Sequence, residues 1–298
     1  MDLTGVGEKF RRSLEHYDSL QEAITGWVFE QGYHFVDATQ DSDGDSSYIL
    51  TVKPLPVPLR IPAIFGDVVH NLRSALDHFA RQLLLASDAE PDDGPGGTVF
   101  PIRVKAPSSG SDLVLKARSG DISNELKRVL DAVQPYHWGS KSSEHPLALL
   151  NALDIIDKHR MLHTTVLNAE GGSVTFGAPD GVIPSKHHVL VREGQETRVA
   201  VDPVELHDGP LPTGTWKITL GLLEPTVDQG IPLDGIVGQL AVHVAGEVIL
   251  RFMDCMHPGL PTELAREMVV TGVIPGSFQD EIANIATRGW HEPELDRE

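Results

Sequence analysis

The sequence predicts an α+β protein, a helical bundle of about four long helices with a β-rich module inserted into it. Two observations carry that expectation. Apolar residues recur at helical spacing near residues 8–30, 64–85, 146–163 and 236–254, whereas from Thr164 the period shortens towards two, with Gly, Pro and Asp between short β-branched runs. At 298 residues the chain exceeds a single modest core. The expected organisation is a helical module with a small β-hairpin over 1–163, a β-rich insertion over 164–233, and C-terminal helices over 234–298 that complete the bundle.

Each element has a local reason. After the first helix, GYHFVDATQ and SSYILTVKPL read as two strands around the turn-rich DSDGD, which lacks the downstream Glu of a calcium loop. Proline-rich PLPVPLRIP stops the second strand, and Pro62 suits the first turn of the next helix. ASDAEPDDGPGG is a loop, TVFPIRV an extended piece, and ISNELKRVLDAVQPY a short helix closed by Pro135. A helix over Pro146 to His163 leads into SVTFGA, HHVLVRE, TRVAVDPVEL and TWKITLGLLE, which read as strands. IVGQLAVHVAGEVILRFMDCM restores the helical period, followed by short helices near 261–268 and 277–287 and a frayed tail.

Composition narrows the function. Hydrophobic residues at 40% and charged residues at 22% match a soluble globular chain rather than a disordered or fibrous one. The net charge of −19 opposes nonspecific attraction to nucleic acid or anionic membrane. A lone Cys255, no signal-peptide pattern at the N-terminus, and no uninterrupted apolar run of the roughly 20 residues that cross a bilayer lead us to expect a cytoplasmic location and no membrane span. Cys255 reads as inert packing. G-x-S-x-G, Walker, Rossmann and CxxC patterns are absent.

The chemistry-bearing residues concentrate on two helices. In IFGDVVHNLRSALDHFARQLLL, Phe65, Val68, Leu72, Ala75, Leu76, Phe79 and Leu83 share a core face. His70, Arg73, Ser74, Asp77 and Arg81 are expected to point away from it, with Asn71 and His78 on one border. In the helix from Pro146, Leu149, Ala152, Leu153 and Ile156 define a stripe that Arg160 and His163 are expected to continue inward, with Asp77 or Asp157 as counter-ion.

The order GDVVHNLRSALDH, FPI, QPY, HPLALLNALDIIDKHRMLH resembles an uncharacterised bacterial family over about residues 61–163. More distantly, Arg73 followed after four residues by His78 resembles the HEPN superfamily of helical bundles, with Ser74 where that family often has Asn. The resemblance implies metal-independent cleavage of single-stranded RNA. His78 would be general acid or base, Arg73 would steady phosphate charge, Asn71 would orient, and the site would be shared across a homodimer. His70, Asp77, Asp157, His159, Arg160 and His163 would support it, with no cofactor.

Two other readings use the same residues. His159 and His163 at i and i+4, with His70, Asp77 and Asp157, could hold a divalent transition metal, although no HExxH is present. Alternatively Asn71, His78, Asp157, Arg160 and His163 form a polar seam that fixes helix register in a non-catalytic ligand-binding or interaction protein.

Overall fold

A computed structural model describes residues 1–31, 36–40, 47–52, 56–107, 113–162, 164–174, 187–192, 197–200, 216–222 and 231–258. In chain order the first elements are α1 (Thr4–Gln31), β1 (Val36–Gln40), β2 (Ser47–Val52), α2 (Arg60–Ala86), β3 (Glu90–Pro91), β4 (Ala117–Ser119) and α3 (Asn124–Ala132). A 3-10 segment, Pro135–Glu144, precedes α4 (Pro146–His159). The strands β5 (Thr164–Val174), β6 (His187–Arg192), β7 (Thr197–Ala200), β8 (Trp216–Leu222) and β9 (Ile231–Pro232) follow, then α5 (Leu233–Val242), a π-helical segment His243–Leu250, and α6 (Arg251–Met256). The protein is mixed α+β. The expected helices near 261–268 and 277–287, the DSDGD turn and His163 lie outside the described residues.

The chain divides into two compact units: Met1–Ser19 with Ala63–Met161 and Asp234–Glu298, and Leu20–Pro62 with Leu162–Leu233. The second holds the larger sheets. There β1 pairs antiparallel with β2, whose other edge takes β7, Leu50 opposite Thr197. A four-stranded antiparallel sheet runs β6-β5-β8-β9. The hairpin therefore groups with the β-rich insertion rather than with the helical module expected over 1–163, because an edge strand with unpaired backbone groups recruits a further strand.

In the first unit α2 is the axial element. Its expected core face, Phe65, Val68, Leu72, Ala75, Leu76, Phe79 and Leu83, is buried throughout, and Val69, Ala80 and Leu84 are buried as well. A helix apolar on so wide an arc is covered on several sides. It ends in a Schellman turn: Ala89 N–H reaches Leu84 O at 2.9 Å and Asp88 N–H reaches Leu85 O at 3.3 Å, with Asp88 left-handed at φ 54°. The Phe252 ring from α6 stands edge-on to Phe79 and Phe100, centroids 5.6 and 6.3 Å away.

Helix α4 is shorter than expected. Its first turn is capped by His145, whose Nδ1 accepts the Leu147 N–H at 3.1 Å. It closes at His159, with Arg160 N–H bonded to Ile156 O at 2.8 Å and Arg160 itself extended at φ −164° and ψ 159°. Lys158 and His159 in the last turn complement the helix dipole. The apolar stretch 235–256 is long enough to cross a membrane, but 78% of its apolar window is buried inside the fold, as in a core helix.

Phe252→Ala should cost about 3–5 kcal/mol by emptying the site shared by three aromatic rings. The melting temperature, followed by circular dichroism, is expected to fall by about 10 °C.

Candidate functional site

The exposed polar chemistry of α2 meets α4 at His70. Its imidazole is half exposed, yet Nδ1 lies 3.0 Å from Oδ1 of Asp154, whose side chain is only 3% exposed. The second oxygen of Asp154 accepts Lys158 Nζ at 2.6 Å. Each carboxylate oxygen thus has a charge-assisted partner, as burial requires. On the far side of the ring, His70 Nε2 is 3.5 Å from Ser74 Oγ, one turn along α2. The result is a hydroxyl, an imidazole and a buried carboxylate in series.

A glycine leaves room for a further carboxylate beside this series. A Cβ placed on Gly66, one turn before His70, would come within 2.0 Å of Asp157 Oδ1. Burial raises the Asp157 carboxyl from its ordinary pKa, and the neighbouring charges of Asp67 and Asp154 push it the same way. His70 and Lys158 pull against them.

The other sequence candidates are placed differently. Arg73, expected to face away from the core, is 8% exposed. Its Nη1 donates to Asp77 Oδ1 at 2.7 Å and its Nη2 to the Phe100 carbonyl at 2.9 Å. Asp77 Oδ1 also accepts the Phe100 N–H at 2.9 Å, so the pair grips both backbone groups of one residue. Burial pushes the Asp77 carboxyl up against the opposing pull of Arg73. Asn71 is buried, donating to Asp67 O at 2.8 Å and accepting from Lys9 Nζ at 3.5 Å.

His78 is exposed and lies against Gly5 of α1, where an added Cβ would meet Nδ1 at 2.7 Å. Arg73 and His78, about 140° apart around the helix, serve different neighbours. Arg81 pairs with Asp93. His159 and Arg160 are both exposed; Arg160 lies beyond the helix, so the inward stripe expected to run through Arg160 ends before it. Among the described residues, no three His, Cys, Asp or Glu side chains converge to hold a metal ion.

Two features escaped the sequence reading. Asp154 sits inside the apolar run LLNALDII, and an acid at a core position is a legible request for partners. The second is an imidazole pair. His145 and His243 meet edge to face at 4.7 Å, and Trp138 meets His145 edge to face at 4.6 Å. His243 opens the π-helical segment, and its Nε2 is shut away from solvent with no hydrogen-bond partner. Burial first, then a neighbouring histidine, lowers the pKa of His145 to about 4 and that of His243 to about 3. An open pocket of about 470 Å³ bounded by Asp88, Asp121, Glu125 and Cys255 lies elsewhere. There burial and the charges of Glu125 and Asp254 raise the Cys255 thiol pKa, which disfavours the thiolate.

Comparison with protein-family models, curated proteins and solved structures finds no match.

Arg73→Ala should remove about 3 kcal/mol, read as a lower denaturant midpoint, by stranding Asp77 and freeing Phe100. The two imidazoles have the opposite sign from a salt-bridged histidine. Their folded pKa values lie below the ordinary 6.5, so the unfolded chain binds more protons as the medium is acidified. Their contribution is complete above pH 6.5 and drains away as pH falls towards 4 and then 3. His145→Asn, which keeps a cap acceptor, combined with His243→Leu should flatten the acid limb of melting temperature against pH.

Proposed function

We propose that the protein is a cytoplasmic hydrolase whose general base is His70, oriented by Asp154, acting on an uncharged acyl ester. The observation that carries this reading is an accessible imidazole with one nitrogen tied to a buried carboxylate. That arrangement orients the ring, and the reading places the proton on Nδ1, facing Asp154, with Nε2 as the acceptor on the side of solvent and Ser74. Asp154 acts as a positioning residue and Lys158 holds its outer oxygen. The reading takes the long helices to enclose one bundle core, with α2 and α4 contributing the faces that bear His70 and Asp154.

The reaction follows from proton placement. His70 Nε2 takes a proton from the attacking hydroxyl or water as it bonds to the acyl carbon, then returns it to the departing alkoxide. Charge on the imidazolium is met by Asp154. The surroundings favour an uncharged substrate over a polyanion, because Asp67, Asp154 and Asp157 outnumber Lys158 near the ring and the whole chain carries −19.

A second reading, cleavage of single-stranded RNA in a homodimer, draws support from the exposure of His78 and the Arg73-x4-His78 spacing. It ranks lower because Arg73 is committed to Asp77 and Phe100 and has no free fork for a phosphate.

Purified protein should turn over p-nitrophenyl butyrate with saturation kinetics. His70→Ala should lower kcat/KM about 10²–10⁴-fold, and Asp154→Ala should lower kcat with little change in KM. Equal turnover by wild type and His70→Ala would end the proposal. RNA cleavage in EDTA that depends on His78 instead would install the second reading.

A further inference from the structure

We infer that Ser74 is the attacking nucleophile and forms a covalent acyl-enzyme, an inference that rests on the hydrolase reading of His70 and specifies its chemistry. Ser19 in α1 and Ser87 just past the end of α2 show the local bond that a helical hydroxyl can make, while Ser13 of α1 donates to Val68 O of α2 at 3.2 Å. Ser19 Oγ donates to Glu15 O at 3.0 Å and Ser87 Oγ to Leu83 O at 2.8 Å, each bonding the carbonyl four residues back. Ser74 Oγ instead lies 3.5 Å from the imidazole four residues back. It is half-buried, so a substrate can reach it from solvent.

The ring cannot turn away freely. Nδ1 is tied to Asp154 at 3.0 Å, and Asp154 is in turn held by Lys158, so Nε2 is directed along α2 towards residue 74. Hydroxyl, imidazole and carboxylate therefore stand in the order that lets a proton leave Oγ as a carbon–oxygen bond forms. A separation of 3.5 Å is long for a hydrogen bond and short enough to close when substrate excludes water.

The steps balance without any co-reactant except water. Ser74 Oγ bonds to the acyl carbon while its proton passes to His70 Nε2. The adduct then breaks its bond to the alcohol oxygen, which leaves with that proton. Water next attacks the acyl-serine, giving its proton to Nε2. The Oγ–acyl bond breaks, the carboxylic acid departs, and Oγ recovers the proton. His70 Nδ1–H stays on Asp154 throughout.

The test is labelling with a fluorophosphonate probe, mapped by mass spectrometry, beside stopped-flow hydrolysis of p-nitrophenyl butyrate. Expected are one label, on Ser74, a burst of nitrophenol equal to the enzyme concentration or smaller, and a rate of labelling lowered at least about a hundredfold in His70→Ala. Ser74→Ala should lose label and burst while keeping the wild-type melting temperature. If Ser74→Ala instead retains His70-dependent turnover, water is the nucleophile: this inference fails and the hydrolase reading stands. If wild type neither labels nor turns over any ester, both fail. A Ser74→Cys variant guards against loss by misfolding. Its thiol should be acylated by the same ester, and an unacylated, folded Cys variant counts against the inference.

Discussion

A carboxylate withdrawn from water must be matched, and in the first unit Asp154 is that carboxylate. Burying it on α4 unpaired would cost several kcal/mol. The chain supplies Lys158 one turn later and His70 from α2. One partner is local and one is distant in sequence, so the pair of helices is held in a single register. The orientation of His70, with Nε2 on the side of Ser74, is a by-product of satisfying this buried charge.

A second polar device organises the apolar side of the same helix. Arg73 and Asp77 grip the N–H and carbonyl of Phe100, and the amide of Gln134 continues the hold, its Nε2 donating to Pro101 O at 3.0 Å and its Oε1 accepting Arg103 N–H at 2.9 Å. Tyr136 N–H adds a bond to Arg103 O at 3.2 Å. The sequence runs HNLRSALDH, FPI and QPY are therefore parts of one latch that seats the Phe100 ring against Phe252. The presence of these three runs in the chain has a structural cause and does not need a catalytic one.

Long, strongly periodic segments were legible: α2 appears within a few residues of its expected limits, and all seven residues of its expected core face are buried. The fate of its polar residues was not. Projection on a helical wheel assumes one buried side, whereas Val69, Ala80 and Leu84 show α2 covered over a wider arc, which draws in Asn71 and Arg73. The C-terminal limit of α4 was overshot, because apolar spacing continues through Leu162 after the backbone has turned extended at Arg160. His70 and Ser74 were both in view as polar residues of α2. Their relation to Asp154 depends on a contact between residues 84 positions apart, which no local pattern reports.

Gly66 marks the place where α2 faces an α4 carboxylate. It lies one turn from His70, opposite Asp157, which is itself one turn from Asp154. With hydrogen as its side chain it leaves the room that the Asp157 carboxylate occupies. A single methyl at that spot would displace that carboxylate, whose flexible side chain gives way by turning. Variation at residue 66 would therefore act first on the charge that Asp157 places beside His70, leaving every polar residue in place.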